Sequence, residues 1–166
     1  MDLTRRQMLR MGGLALVAVA VGACGRGDRI GAVAADSEFE VTLSEAEWRQ
    51  RLTSEQFNVL RREATESPYS SPLNDEHRAG IFRCAGCDLE LFASATKFDS
   101  NTGWPSFWEP LPDAVGTRTD NSLGMRRTEV HCRQCGGHLG HIFDDGPPPT
   151  GERWCINGLS LRFEPA

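Results

Sequence analysis

Cys155 stands apart from the other cysteines of this sequence. Four of them form two Cys-x-x-Cys pairs, Cys84-Ala85-Gly86-Cys87 and Cys132-Arg133-Gln134-Cys135, and Cys24 lies near the N-terminus. Around Cys155 the chain reads Arg153-Trp154-Cys155-Ile156-Asn157. A β-strand there puts Arg153, Cys155 and Asn157 on one face, because successive side chains alternate. Continued, the alternation adds Leu159, Leu161 and Phe163, so a cation, a thiol and an amide share a face with apolar core. A cation beside a thiol lowers its pKa from the free value of roughly 8.5 and favours the attacking thiolate. The competing reading is a buried structural cysteine at a strand end. His138 and His141 follow the second pair closely and can supply hydrogen bonds beside the lone thiol, the alternative being two ordinary surface histidines.

The paired cysteines point to a metal. Each pair carries glycine nearby, where a tight turn can aim two sulfurs at one ion, and four thiolates suit tetrahedral zinc in a closed, structural site. The 44 residues between Cys87 and Cys132 exceed the roughly 15–20 of a simple zinc ribbon, so the clip must join two distant hairpins. Two disulfides, or a redox-active Cys-x-x-Cys, are the competing readings. The inserted segment contains Gly103-Trp104-Pro105-Ser106-Phe107-Trp108, whose aromatic rings can floor an apolar pocket for a methyl or thioether group or form a satellite hydrophobic cluster.

The elements that position these residues are short. Ser44-Glu45-Ala46-Glu47 and Thr53-Ser54-Glu55-Gln56 are helix-start patterns, followed by Trp48 and Leu52, then by Phe57, Leu60 and Ala64, at helical spacing through Arg62. Ser67 to Asp75, with two prolines, breaks the pattern. Beyond it, short runs at Gly80–Arg83, Leu89–Phe92, Gly116–Thr119, Arg127–Cys132 and Trp154–Phe163 are separated by turn formers, the rhythm of a mainly β, largely antiparallel domain.

The 166 residues suffice for one domain with a real core, and a net charge of −5 offers no basic footprint for a nucleic acid. Residues 1–23 read as an export signal: an arginine-bearing start followed by thirteen uncharged residues, too few for an ordinary membrane span. Thr4-Arg5-Arg6-Gln7-Met8-Leu9-Arg10 is similar to a twin-arginine motif, and Val21-Gly22-Ala23-Cys24 to a lipobox, with ordinary cleavage near Ala32–Ala35 as the alternative. Residues 24–40 then form a tether and 41–166 the domain. The expected setting is extracytoplasmic, with membrane attachment only through a lipid on Cys24, and the expected state is a monomer.

Phe98-Asp99-Ser100 with Gly103 to Phe107, then His131 through Pro147, then Arg153 to Gly158 together resemble the peptide methionine-(R)-sulfoxide reductases of the B type. The resemblance spans about Leu43 to Phe163. It implies two antiparallel β-sheets with short N-terminal helices, in a zinc-clipped, Mss4-like β-fold, and one structural zinc on Cys84, Cys87, Cys132 and Cys135. It implies that Cys155 attacks the sulfoxide sulfur, that His141, His138, Asn157 and Arg153 assist, and that Trp104 and Phe143 bind substrate. Oxidised peptides and proteins are the implied substrates. Many family members carry a resolving cysteine where this sequence has Thr102, so the implied reductant is an external thioredoxin-like protein or small thiol acting on Cys155 directly.

Overall fold

The computed structural model describes residues 39–166; residues 1–23, Cys24 and most of the 24–40 stretch lie outside the described residues. Helix α1 (Glu45–Arg51) starts at Ser44, whose hydroxyl accepts from Glu47 N–H while the Glu47 carboxylate accepts from Ser44 N–H. Helix α2 (Ser54–Arg62) repeats the device with Thr53 and Gln56. Such caps contribute about 1 kcal/mol each. Both helices are too short to persist alone, and packing holds them: Trp48, Leu52, Phe57 and Leu60 are all buried.

Nine strands follow among the described residues: β1 (Gly80–Cys84), β2 (Glu90–Ala93), β3 (Lys97–Phe98), β4 (Ser106–Phe107), β5 (Val115–Asp120), β6 (Arg127–Cys132), β7 (His138–Phe143), β8 (Arg153–Ile156) and β9 (Leu161–Pro165). They form a three-stranded sheet, order β2-β1-β9, and a six-stranded sheet, order β3-β4-β8-β7-β6-β5, with every pairing antiparallel. An aromatic cluster joins the sheets. Phe92 stacks on Phe107 at 4.4 Å between ring centres, Phe82 meets Phe107 edge-on at 5.0 Å, and Trp154 closes on Phe92. The mainly β, two-sheet architecture with two short helices is the one expected from the sequence.

One predicted element is corrected. The run from Trp154 to Phe163 is not one strand. Ser160 donates both its hydroxyl and its N–H to the Asn157 carbonyl, at 2.6 and 3.0 Å, closing a 3₁₀ turn over Gly158–Ser160. The chain there leaves the large sheet and enters the small one, where β9 pairs with β1. Leu161 and Phe163 therefore pack in the small sheet and do not extend the face of Cys155.

Candidate active site

The register of the large sheet sets the site. Ser106 on β4 lies opposite Cys155 on β8, Cys155 opposite His141 on β7, His141 opposite Glu129 on β6, and Glu129 opposite Arg118 on β5. One step along, Phe107, Trp154 and Ile142 form the matching row on the core side. Trp154 thus anchors β8 in the core while Cys155, half-buried, faces a cavity of about 140 Å³. Thr65, Trp104, Arg127, Gly140, His141, Phe143, Cys155 and Asn157 line it. Gly140 is obligatory, because a Cβ there would stand 1.9 Å from the Cys155 carbonyl oxygen. Gly103, at φ +95°, turns the chain into Trp104 in a conformation that side-chain-bearing residues avoid.

Arg153 reaches Cys155, but its cation is shared. Its Nε and Nη2 donate to the two Asp145 carboxylate oxygens at 2.8 and 3.0 Å, and its guanidinium lies 4.3 Å from the centre of the Phe143 ring. Burial pushes the Cys155 thiol up, and Arg153 and the Thr102 hydroxyl only partly oppose it. Arg153 pulls in the direction expected from the sequence, toward the thiolate, and desolvation outweighs it.

The histidines come with carboxylates that sequence reasoning did not single out. His141 Nε2 is 2.9 Å from Asp120 Oδ2, and Arg127 holds the same oxygen at 2.6 Å. Burial pushes His141 below its ordinary value despite Asp120, so the imidazole is neutral at pH 7, with Nε2–H on Asp120 and the lone pair on Nδ1. His138 lies deeper and does not line the cavity. Its Nδ1 is 2.7 Å from Glu129 Oε1, its buried Nε2 has no hydrogen-bond partner within the protein, and its ring meets that of His141 edge-on at 5.4 Å. Burial would raise Glu129, but His131 beside it, the hydrogen bond with His138 and the charge of Arg118 hold it at about 2.

The residue most conspicuously missed is Glu66, in the loop after α2. Its carboxylate accepts from Gly158 N–H (2.6 Å) and Leu159 N–H (2.9 Å), its N–H donates to Asn157 Oδ1, and its carbonyl accepts from Trp104 Nε1 at 3.1 Å. One buried residue thus ties together the indole wall, the amide wall and the turn that follows the thiol. Asn157 also donates Nδ2–H to the Leu139 carbonyl, which leaves one amide hydrogen uncommitted. Glu66 stands in a Ser/Pro-rich loop with no periodicity, and nothing in the sequence marks it.

At the ends of β1 and β6, Cys84, Cys87, Cys132 and Cys135 bring their sulfurs within 4.8 Å of one another. The closest pairs are Cys84–Cys135 at 3.8 Å and Cys87–Cys132 at 3.4 Å. A tetrahedral ion about 2.3 Å from each sulfur separates them by about 3.8 Å. The set therefore fits one metal ion.

A stapled pair of antiparallel sheets, with a fifth sulfur facing a small cavity between an indole and an imidazole, defines a thiol-bearing β-domain. Residues 52–165 match the family model described as SelR domain. The chain is 54% identical over 127 residues to "Peptide methionine sulfoxide reductase MsrB" of Agrobacterium fabrum, covering 76% of this chain and 94% of that one. It is 52% identical over 134 residues to the protein of the same name from Leifsonia xyli, covering 80% and 96%, and 51% over 128 residues to that of Methanosarcina mazei, covering 76% and 91%. The chain belongs to the MsrB family, and it is an oxidoreductase acting on sulfur groups.

Proposed function

We propose that the chain reduces methionine-R-sulfoxide in peptides and proteins to methionine, with Cys155 as nucleophile. The observation that carries this reading is the placement of Cys155 in a cavity between Trp104 and His141, large enough for the end of one side chain. Trp104 and Phe143 would hold the methyl group. Neutral His141, opposite Cys155 on β7, takes the thiol proton at Nδ1 and returns it to the sulfoxide oxygen, which leaves sulfur only when protonated. The uncommitted amide hydrogen of Asn157 steadies the same oxygen, and Glu129 fixes the tautomer of His138 behind it. The exchange balances: thiol and sulfoxide become sulfenic acid and thioether, with the electron pair moving from Cys155 to the methionine sulfur. A fixed methyl wall and a fixed proton donor admit one epimer, since the other points its oxygen away.

The other described cysteines are the four of the cluster, so an external thiol reduces the sulfenic acid. A first thiol releases water and forms a mixed disulfide, and a second frees Cys155. In the cluster, zinc would supply a closed, structural crosslink. We further propose export by the twin-arginine route and lipidation of Cys24; radiolabelled palmitate incorporation that survives Cys24→Ala would overturn the lipid anchor. The reductase reading is tested by turnover of a peptide bearing racemic methionine sulfoxide with dithiothreitol. The expected result is consumption of half the sulfoxide, leaving the S epimer, and none with Cys155→Ser. Turnover that persists in Cys155→Ser, or consumption of the S epimer, overturns it.

A further inference from the structure

The last pair of the β5–β6 ladder is Asp120 opposite Arg127. Arg127 Nη2 and His141 Nε2 both meet one carboxylate oxygen of that pair, Asp120 Oδ2, at 2.6 and 2.9 Å. The other oxygen, Oδ1, accepts from Ser122 N–H at 2.8 Å, and Arg127 Nη2 also donates to Ser122 Oγ at 3.1 Å. The turn after β5 and the start of β6 therefore fix the carboxylate before the imidazole meets it. Arg127 and His141 line the cavity with Cys155, whereas Asp120 does not. All three side chains are largely shielded, so water and salt screen their charges little.

The charges in this group can be counted. With His141 neutral, one cation faces one anion and the group is balanced. Once His141 takes a proton, two cations share a single carboxylate. Asp120 thus favours the imidazolium and Arg127 opposes it, and each acts on His141 in that direction. The exchange proposed above needs both influences. A base that never takes the thiol proton fails at the first transfer, and one that keeps it fails at the second. Transfer in both directions is best served by an intermediate hold on the proton.

We propose that Asp120 and Arg127 are positioning residues that act through His141: Asp120 anchors the ring at Nε2 and steadies the imidazolium, while Arg127, on the same oxygen, weakens that hold so that the proton can pass on to the sulfoxide oxygen. The proton moves from the Cys155 sulfur to His141 Nδ1 and from there to the oxygen; neither Asp120 nor Arg127 gains or loses one. The titratable and charged groups around His141 are Asp120 and Arg118 on β5, Arg127 and Glu129 on β6, His138 on its own strand and Cys155 on β8. Glu63, just after α2, reaches this group only through Arg118. The inference rests on the reading of His141 as the proton carrier, and it is measured on the ring rather than on turnover.

The experiment is a pH titration of the His141 ring nitrogens by NMR in metal-loaded protein labelled with 15N-histidine, the signal being assigned by its absence in His141→Gln. The wild-type ring is expected to carry its hydrogen on Nε2. Asp120→Asn removes the anion and lowers the midpoint by about one unit or more, and Arg127→Gln removes the cation and raises it by about one unit. Arg127→Lys, which keeps the charge, leaves it close to wild type. Opposite signs are the decisive feature, because a loosened hairpin that merely admits water would relieve burial and raise the midpoint in every variant. Where Asp120→Asn fails to fold, the contrast between Arg127→Gln and Arg127→Lys decides alone. A hydrogen on Nδ1 in the wild type, midpoints that move in the same direction or not at all, or equal shifts in the two Arg127 variants overturn the proposal. Midpoints that move as stated in a protein without sulfoxide turnover would count against the reductase reading alone.

Discussion

The four clustered sulfurs and Cys155 are the same functional group in opposite situations. The four sit at strand ends and tight turns, within 4.8 Å of one another, and a metal among them has no vacant position. Cys155 sits within a strand, with its carbonyl against Gly140 and its sulfur facing a cavity. Reactivity here follows from what each sulfur lacks: the four have partners in one another, and the fifth has none of its own kind.

The largest effect expected from this contrast is on stability. Withdrawing metal with a chelator, or replacing Cys132 by Ser, should cost most of the fold, because structural zinc contributes roughly 10–16 kcal/mol in small zinc-binding peptides, comparable with the stability of a domain. Cys155→Ser should leave the melting temperature of the metal-loaded protein nearly unchanged. Calorimetry of both variants checks this, and equal losses would erase the distinction between the two kinds of sulfur.

Glu66→Gln should act on the Cys155 side only. A side-chain amide nitrogen would face a backbone N–H of Gly158 or Leu159, costing about 2 kcal/mol and loosening the Trp104 and Asn157 walls. The expected signature is a lower kcat/KM at unchanged metal content; metal loss in this variant would mean that the two regions are not independent.

A smaller effect concerns acid. Glu129 is held at about 2, below its ordinary value of 4.5, so its stabilisation is fully present above pH 4.5 and is lost as pH falls toward 2. Melting curves between pH 6 and pH 3 should show the decline, and Glu129→Gln should flatten it. The smallest effect is on reagent access. Because burial raises the Cys155 thiol, its alkylation at pH 7 should be slower than that of an exposed cysteine, and it should still be accelerating above pH 9.

Local chemistry made much of this legible in the sequence. Both helix starts form as reciprocal caps, the spacing of the cysteine pairs assembles one cluster, and residue parity puts Cys155 opposite Trp154. What escaped depends on contacts across long sequence separations. Glu66 gains its meaning from backbone groups 92 and 93 residues away, and Asp120 from His141, 21 residues on. The break at Asn157 was hidden because the apolar residues beyond it fit either one long strand or two strands in different sheets. Glu129 stands in Arg127-Thr128-Glu129-Val130-His131-Cys132, where alternation places it with Arg127 and His131 on the polar parity of the strand, so its burial was not legible either.

The cluster also has a topological consequence. Cys87 and Cys132 bound a closed ring of chain that contains Trp104, so binding an ion at one edge shortens the search that brings the indole to its place. Refolding begun with metal present should therefore assemble the reductive pocket sooner than refolding in which the ion arrives last.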